Sequence, residues 1–350
     1  MTTDAGTTLT APAVPSAAEP LLVVDDLACL FPIRRGITDL LRGQHHHVHA
    51  VDTVSFSLDR GEVLALVGES GCGKSTTGRL LVRLEEPTGG SIRFGGRDIV
   101  NLSGKDLKAF RRQAQIVFQN PFEAFDPRLT LRQSLTQVLA IHEIGDKSDR
   151  DARVVAAMEQ VGLRPAQDFL DRFPHELSGG QLQRVVTVRA MLLEPELVVA
   201  DEPVSMLDVS VRAEIMNNLL DLRDERGLAI VFITHDIAVA RYMATRVAVM
   251  YLGMFVEIGD AADVIDRPKH PYTRALLSHT LPAGDEEPIG DPVEISGDPP
   301  AAIDIKPGCR FAGRCPFVFD RCRLETPRLQ VVEGRQRVAC HLYDEDVAAE

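Results

Sequence analysis

Short apolar runs recur along this chain, and most of them stop at a polar residue. Glu62 to Val67 leads into a glycine loop, Gln115 to Phe118 stops at Gln119, Leu197 to Ala200 stops at Asp201, and Ala229 to Thr234 stops at His235. Arg246 to Tyr251 is a further run. Runs of this length without alternation predict strands buried on both faces of a parallel sheet. Helical spacing lies between them, in Thr76 to Arg83, Leu107 to Arg112, Leu182 to Leu193 and Val211 to Arg226, the last closed by Gly227. Strands that alternate with helices predict an α/β fold. Leu129 to about Gly162 has helical spacing and few β signals, so a helical insertion is expected there. Leu21 to Phe31 reads as an edge strand, and Val51 to Leu58 as a second strand. Ser91 to Phe94, set between Gly89-Gly90 and Gly95-Gly96, reads as a short third one. Pro32 to Gln44 reads as an inserted loop, continued by a solvated histidine run at His45, His46, His47 and His49. Met1 to about Pro20, rich in Thr, Ala and Pro, is expected to be a disordered tail. Asp291 to Pro307, rich in proline, marks a boundary.

The glycine loop carries the first chemistry. Gly68-Glu69-Ser70-Gly71-Cys72-Gly73-Lys74-Ser75 fits G-x-x-x-x-G-K-[ST], with a strand before it and a helix, opening at Thr76, after it. Glycines let backbone N–H groups turn inward around phosphate oxygens, and the helix N-terminus adds partial positive charge. Lys74 then reaches the β- and γ-phosphates, and the Ser75 hydroxyl ligates Mg²⁺. Asp201 ends a buried strand, where open α/β sheets bind ligands, and can hold Mg²⁺ through water. Glu202, one residue on, can polarise an attacking water as general base. Gln119 and His235 each end a strand, and a histidine at that place could contact the γ-phosphate. Leu177-Ser178-Gly179-Gly180-Gln181 is a second glycine turn that opens a second helix.

Composition narrows the class. The chain has 350 residues, 45% hydrophobic and 25% charged, an ordinary globular balance with room for two domains. No apolar run approaches the ~18 residues of a membrane span. Met1 to Pro20 lacks the basic start and apolar middle of a signal peptide, so a cytoplasmic protein is expected. A net charge of -13 argues against a general nucleic-acid binder.

The order of these motifs carries a resemblance. The chain resembles an ATP-binding cassette (ABC) ATPase over about Leu21 to Asp266. Gly68 to Ser75 is similar to the Walker A motif, Gln119 to the Q-loop, Leu177 to Gln181 to the LSGGQ signature, and Leu197 to Asp201 with Glu202 to Walker B and the catalytic glutamate. Ser205 to Asp208 resembles the D-loop, with Met206 where alanine is usual, and His235 resembles the switch histidine. The resemblance implies a P-loop NTPase core with a parallel sheet, an antiparallel β subdomain and a helical subdomain at about 120–190. It also implies a sandwich of two ATPases. ATP on Gly68, Ser70, Gly71, Gly73, Lys74, Ser75, Thr76 and Asp201 of one is capped by Ser178, Gly180 and Gln181 of the other. Glu202, His235 and Gln119 would act in hydrolysis, and Ser75 and Gln119 would meet Mg²⁺. The N–H groups that open the Ser178 helix suit an anion supplied from outside. Phe31 and the histidines at 45–49 are candidates to stack on adenine.

Residues 267–350 extend the resemblance. Arg267 to Leu277, Pro307 to Phe317, Cys322 and Val338 to His341 are similar to the C-terminal segment of oligopeptide/dipeptide importers. That group implies a peripheral ATPase on the cytoplasmic face of the membrane. Its partners would be two transmembrane permease subunits, a second and related ATPase, and an extracytoplasmic peptide-binding protein, with no nucleic acid. Import of nickel or another small solute, or a soluble ABC ATPase acting on nucleic acid or ribosomes, are the alternatives. Cys309, Cys315, Cys322 and Cys340 form a cluster in sequence whose spacing is wider than zinc-finger pairs. Thiolate clusters favour Fe–S or zinc, and plain reduced thiols remain open. The subfamily resemblance implies a [4Fe–4S] cluster in a structural role.

Overall fold

A computed structural model describes residues 19–33, 46–205, 207–280, 295 and 297–344. The expected tail up to residue 18, the loop at 34–44, His45, Met206 and most of the proline-rich boundary before residue 297 lie outside the described residues.

The chain opens with β1 (Leu22–Ile33) and β2 (His46–Leu58), then β3 (Val63–Val67), which feeds the glycine loop and α1 (Lys74–Leu81). β4 (Gly89–Phe94), β5 (Arg97–Asp98), α2 (Gly104–Gln113) and β6 (Ala114–Val117) follow. The helical insertion comprises α3 (Leu131–Ile141), α4 (Lys147–Gln160), α5 (Gln167–Leu170) and α6 (Gly179–Met191). The chain then returns through β7 (Leu197–Asp201), α7 (Val209–Arg226), β8 (Ala229–Thr234), α8 (Ile237–Met243) and β9 (Arg246–Tyr251). It ends with β10 (Met254–Asp260), α9 (Ala261–Asp266), α10 (Pro271–Thr280), α11 (Asp320–Leu324), β11 (Gln330–Glu333) and β12 (Gln336–Val338).

Two sheets organise these elements. One is antiparallel, in the order β2-β1-β4-β5. The other has eight strands in the order β11-β12-β10-β9-β3-β8-β7-β6. Its β9, β3, β8, β7 and β6 run parallel. Every residue of β3, β7 and β8 is buried, one face packing with β1, β2, β4 and α1 and the other with the helical insertion and later helices, as expected of unbroken apolar strands. Local signals support the helices. Thr130 and Gln133 close a capping box on α3, and α7 stops at Gly227, which adopts a left-handed φ of 66°.

Two expectations change. β1 is not an edge strand but lies between β2 and β4, because β4, which begins at the Gly89-Gly90 expected to be a turn, pairs antiparallel along its other side. His46, His47 and His49 belong to β2 rather than to a loop. They are held there: His46 pairs with Asp304, and His49 Nδ1 lies 3.0 Å from Asp52 Oδ2. The large sheet also continues past residue 266, where β12 pairs antiparallel with β10.

This junction is built on buried polar groups. Glu257 of β10 is fully buried, and its carboxylate accepts hydrogen bonds from the N–H groups of Lys269 (2.8 Å) and His270 (2.9 Å) and from Gln336 Nε2 (2.7 Å). Burial raises its pKa, and these donors oppose that rise. His270 is buried beside it, and its Nδ1 accepts from the Tyr272 N–H at 3.0 Å. Burial lowers the His270 pKa from 6.5 to about 3. The folded ring is therefore neutral, while the unfolded ring takes up a proton below pH 6.5. Its contribution to stability is complete above that pH and is lost as the pH falls toward 3. Thermal unfolding should show this loss at up to about 1.4 kcal/mol per pH unit. The substitution His270→Asn, which keeps an acceptor but does not titrate, should flatten the acid limb of the melting curve.

Candidate nucleotide site

The carboxyl ends of β3, β6, β7 and β8 meet at one cleft of about 720 Å³. Ser70, Gly71, Gly73, Lys74, Ser75 and Thr76 form its floor, and Gln119, Glu202 and His235 stand on one wall. Phe31, Val48 and Ala50, from β1 and β2, form the other. Val48 and Ala50 were not anticipated, because the histidine run hid the strand they sit on. The alternation of Val51 to Leu58, extended backwards, is the signal that would have found them.

The loop geometry suits a phosphate. Gly73 adopts φ 109°, and a Cβ there would overlap the Ala50 carbonyl oxygen. A Cβ at Gly68 would overlap the Met250 carbonyl oxygen in the same way. Only glycine allows the backbone to pass this close to β2 and β9 and still present its N–H groups to the cleft. Lys74 Nζ donates to the carbonyl oxygens of Gly68 (2.7 Å) and Glu69 (2.9 Å), so the ammonium is held beneath the loop.

Behind the loop, the Ser75 hydroxyl donates to Asp201 Oδ1 at 2.9 Å. Asp201 is buried, which raises its pKa, and the Ser75 hydrogen bond opposes that rise. A carboxylate and a hydroxyl joined in this way, next to a phosphate loop, fit a hard divalent cation such as Mg²⁺, which takes oxygen ligands. Glu202 lies at the front. Its carboxylate accepts from Gln119 Nε2 at 2.9 Å and lies 3.2 Å from His235 Nδ1. Its backbone has φ 46°, the left-handed region that a non-glycine residue rarely adopts, and its N–H is held by the Ile233 carbonyl at 3.0 Å. No sequence signal announces this twist. It turns the Glu202 side chain out of the β7 line, toward Gln119 and His235.

Ser178, Gly180 and Gln181 do not line this cleft. Ser178 caps α6, its Oγ accepting from the Gln181 N–H (3.4 Å) while its own N–H donates to Gln181 Oε1 (3.1 Å). The expected unsatisfied helix end is therefore partly satisfied from within. An anion arriving there would meet the backbone of Gly179 and Gly180, and a Cβ at Gly180 would press on Val211 at 3.3 Å.

The four clustered cysteines are brought together in space. Cys309, Cys315, Cys322 and Cys340 line one small pocket with His270, Phe311 and His341. The Cys309 N–H donates to the Cys322 carbonyl at 2.7 Å. All four are free thiols. Burial, and then the neighbouring thiols, push Cys340 up to about 12. Burial chiefly pushes Cys309 up to about 11. Among the described residues, no group of three or more His, Cys, Asp or Glu side chains is placed to hold a metal ion, so the expected [4Fe–4S] site at these cysteines finds no support in the side-chain geometry. A larger cavity of about 1050 Å³ lies in the helical insertion between α3 and α4, and it holds none of the motif residues. Among the described residues, no helix is long and apolar enough to cross a membrane.

A phosphate loop, a buried carboxylate behind it and a glutamate–histidine pair at the carboxyl edge of a parallel sheet define a P-loop nucleotide-binding protein. Comparisons narrow this. The ABC transporter family pattern matches residues 51–205, and the oligopeptide/dipeptide transporter C-terminal region matches residues 256–322. The chain is 44% identical to the di/tripeptide transport ATP-binding protein DppF of Pseudomonas aeruginosa, over 92% of this chain and 98% of that one. It is 43% identical to the dipeptide transport ATP-binding protein DppF of Escherichia coli, over 94% and 96%. It is 42% identical to the oligopeptide transport ATP-binding protein AppF of Bacillus subtilis, over 93% and 98%. A dimeric ATP-binding cassette bound to ADP and phosphate superimposes with TM-score 0.61 at 26% identity, covering 69% of this chain and 98% of that one. The chain belongs to the ABC transporter family, among its ATP-binding subunits.

Gly73→Ala should raise the ATP Kd by about tenfold or more, since strain at such a position costs about 1–3 kcal/mol. Equilibrium binding of ATP to the full chain checks it.

Proposed function

We propose that this chain is the ATP-hydrolysing subunit that powers peptide import through a membrane ABC transporter. The observation that carries the hydrolytic part is the Glu202 carboxylate, held between Gln119 and His235 in the same cleft as Lys74 and Ser75. Glu202 takes a proton from the attacking water as general base. His235 and Gln119 orient that carboxylate. Lys74 and the backbone of Ser70 to Thr76 hold the phosphates, and Phe31 or Val48 packs against the base. Ser75 and Asp201 would hold Mg²⁺, which supplies neutralising charge to the phosphates. Peptide as the cargo is supported by the relatives, whose names are those of dipeptide and oligopeptide transport subunits.

Residues 21–266 form the nucleotide-binding part in this reading, and 267–350 the importer-type extension. Ser178, Gly180 and Gln181 cap ATP bound to a second, related ATPase. Two permease subunits hold the pair on the cytoplasmic face of the membrane, and a binding protein delivers the peptide from outside. The permease contact falls on the α3–α4 cavity and the exposed Phe122, which follows Gln119 closely and so moves with the nucleotide wall.

The four cysteines are read as a [4Fe–4S] site with a structural role. A single zinc ion needs its ligands gathered at about 2.3 Å around one point. A four-iron cluster takes one thiolate on each iron, so it asks for four cysteines around a pocket, as at Cys309, Cys315, Cys322 and Cys340. When bound, it would supply a covalent cross-link among the segments that carry them.

Two measurements follow. Glu202→Gln should keep ATP binding and slow hydrolysis by ~10² or more in the assembled transporter, the scale of a general base. Near-normal turnover would remove Glu202 from that role. Chain purified without oxygen should contain about four iron and four sulfide per chain, and Cys315→Ser should lose both. Zinc, or no metal, would contradict the cluster.

A further inference from the structure

The phosphate loop is braced from an unexpected direction. Gly68 to Gly73 has neither helix nor strand of its own, so its shape depends on what grips it. From within, the loop is joined by Lys74 Nζ on the Glu69 carbonyl at 2.9 Å. From outside, the Gly253 N–H donates to the Cys72 carbonyl at 2.8 Å. Two further outside grips fall on Glu69, and both come from residues after 266. The Glu69 N–H donates to the Tyr272 hydroxyl at 2.9 Å. The Glu69 carboxylate accepts two hydrogen bonds from Arg314, Nη1 at 2.9 Å and Nη2 at 3.1 Å.

This pair is not an ordinary surface contact. The Arg314 side chain is 10% exposed and that of Glu69 22%, so solvent screens them little. Two parallel N–H···O bonds fix the carboxylate in orientation as well as in distance. Burial alone would lower the Arg314 pKa, but its hydrogen bonds to Glu69 and Tyr251 hold it above the ordinary value. The guanidinium also lies over the Tyr251 ring, 5.9 Å from its centroid. Tyr251, Tyr272 and Phe311 pack together with centroids 4.7–5.4 Å apart, Tyr251 edge to face on Phe311 and the other two pairs tilted, giving the arginine a packed base.

Arg314 sits on the short segment between Cys309 and Cys315. The same segment carries Arg310, whose guanidinium binds Asp52 and the Leu252 carbonyl, next to the Gly253 that grips Cys72. One six-residue step of the extension thus carries both the arginine that holds Glu69 and the arginine that holds Leu252, the neighbour of Gly253.

We propose that Arg314 is a positioning residue of the nucleotide site, holding the phosphate loop in its binding shape through Glu69, so that the cysteine-bearing segment is a working part of that site. The proposal rests on the ATPase reading. It touches no phosphate itself. Its effect is to keep the loop backbone arranged before the nucleotide arrives.

The test is a double-substitution cycle on the full chain, with trinitrophenyl-ATP as the binding probe. Arg314→Met and Glu69→Gln should each raise the probe Kd by about tenfold, the scale of losing one charge-assisted pair. The double variant should be no weaker than either single one, because both remove the same contact. Arg314→Lys should recover part of the loss, and it carries the test with Glu69→Gln if the methionine variant does not fold. A Kd within twofold of the unsubstituted chain, with only the nucleotide-free melting temperature lowered, would mean a merely structural role and overturn the proposal. So would additive effects in the double variant. Failure of the unsubstituted chain to bind the probe would overturn the ATPase reading, and this proposal with it.

Discussion

Everything at the nucleotide site depends on three buried parallel strands that end at one edge. β3, β7 and β8 are adjacent, hydrogen-bonded in register and closed to water on both faces. Their ends therefore cannot shift independently. β3 delivers the phosphate loop, β7 delivers Asp201 and Glu202, and β8 delivers His235. A rigid sheet with chemistry confined to its carboxyl edge is the arrangement that lets loops carry function without loss of geometry.

Much of this was legible because it is local. An apolar run followed by a polar residue marks a buried strand and its functional end, as at Leu197 to Asp201. A glycine loop between strand and helix marks a phosphate site. The stop at Gly227 is likewise written in adjacent residues. What was not legible depends on partners far away in sequence. β1 reads as an edge strand until β4 returns to pair with it. The histidines at 46–49 read as loop because their polarity hides a strand fixed by Asp304 and Asp52. The left-handed Glu202 has no signal in its neighbours, and the closed capping box at Ser178 competes with the anion-binding role that its sequence advertises.

The extension shows the same limit most plainly. Its cysteines and its likeness to peptide importers are visible in sequence, but its attachment is not. β12 joins the main sheet through β10, and the buried Glu257 gathers donors from Lys269, His270 and Gln336 at that seam. From there, Tyr272 and Arg314 reach Glu69 across more than two hundred residues of chain. A segment that reads as an appendage is physically continuous with the phosphate loop.

The most direct test of the account is ATP-driven uptake of a labelled dipeptide into vesicles containing the assembled transporter with its binding protein. The account predicts uptake that requires ATP on the side of this chain and is lost with Lys74→Ala. ATP hydrolysis without any movement of peptide, or uptake that persists when Lys74 is replaced, would contradict it.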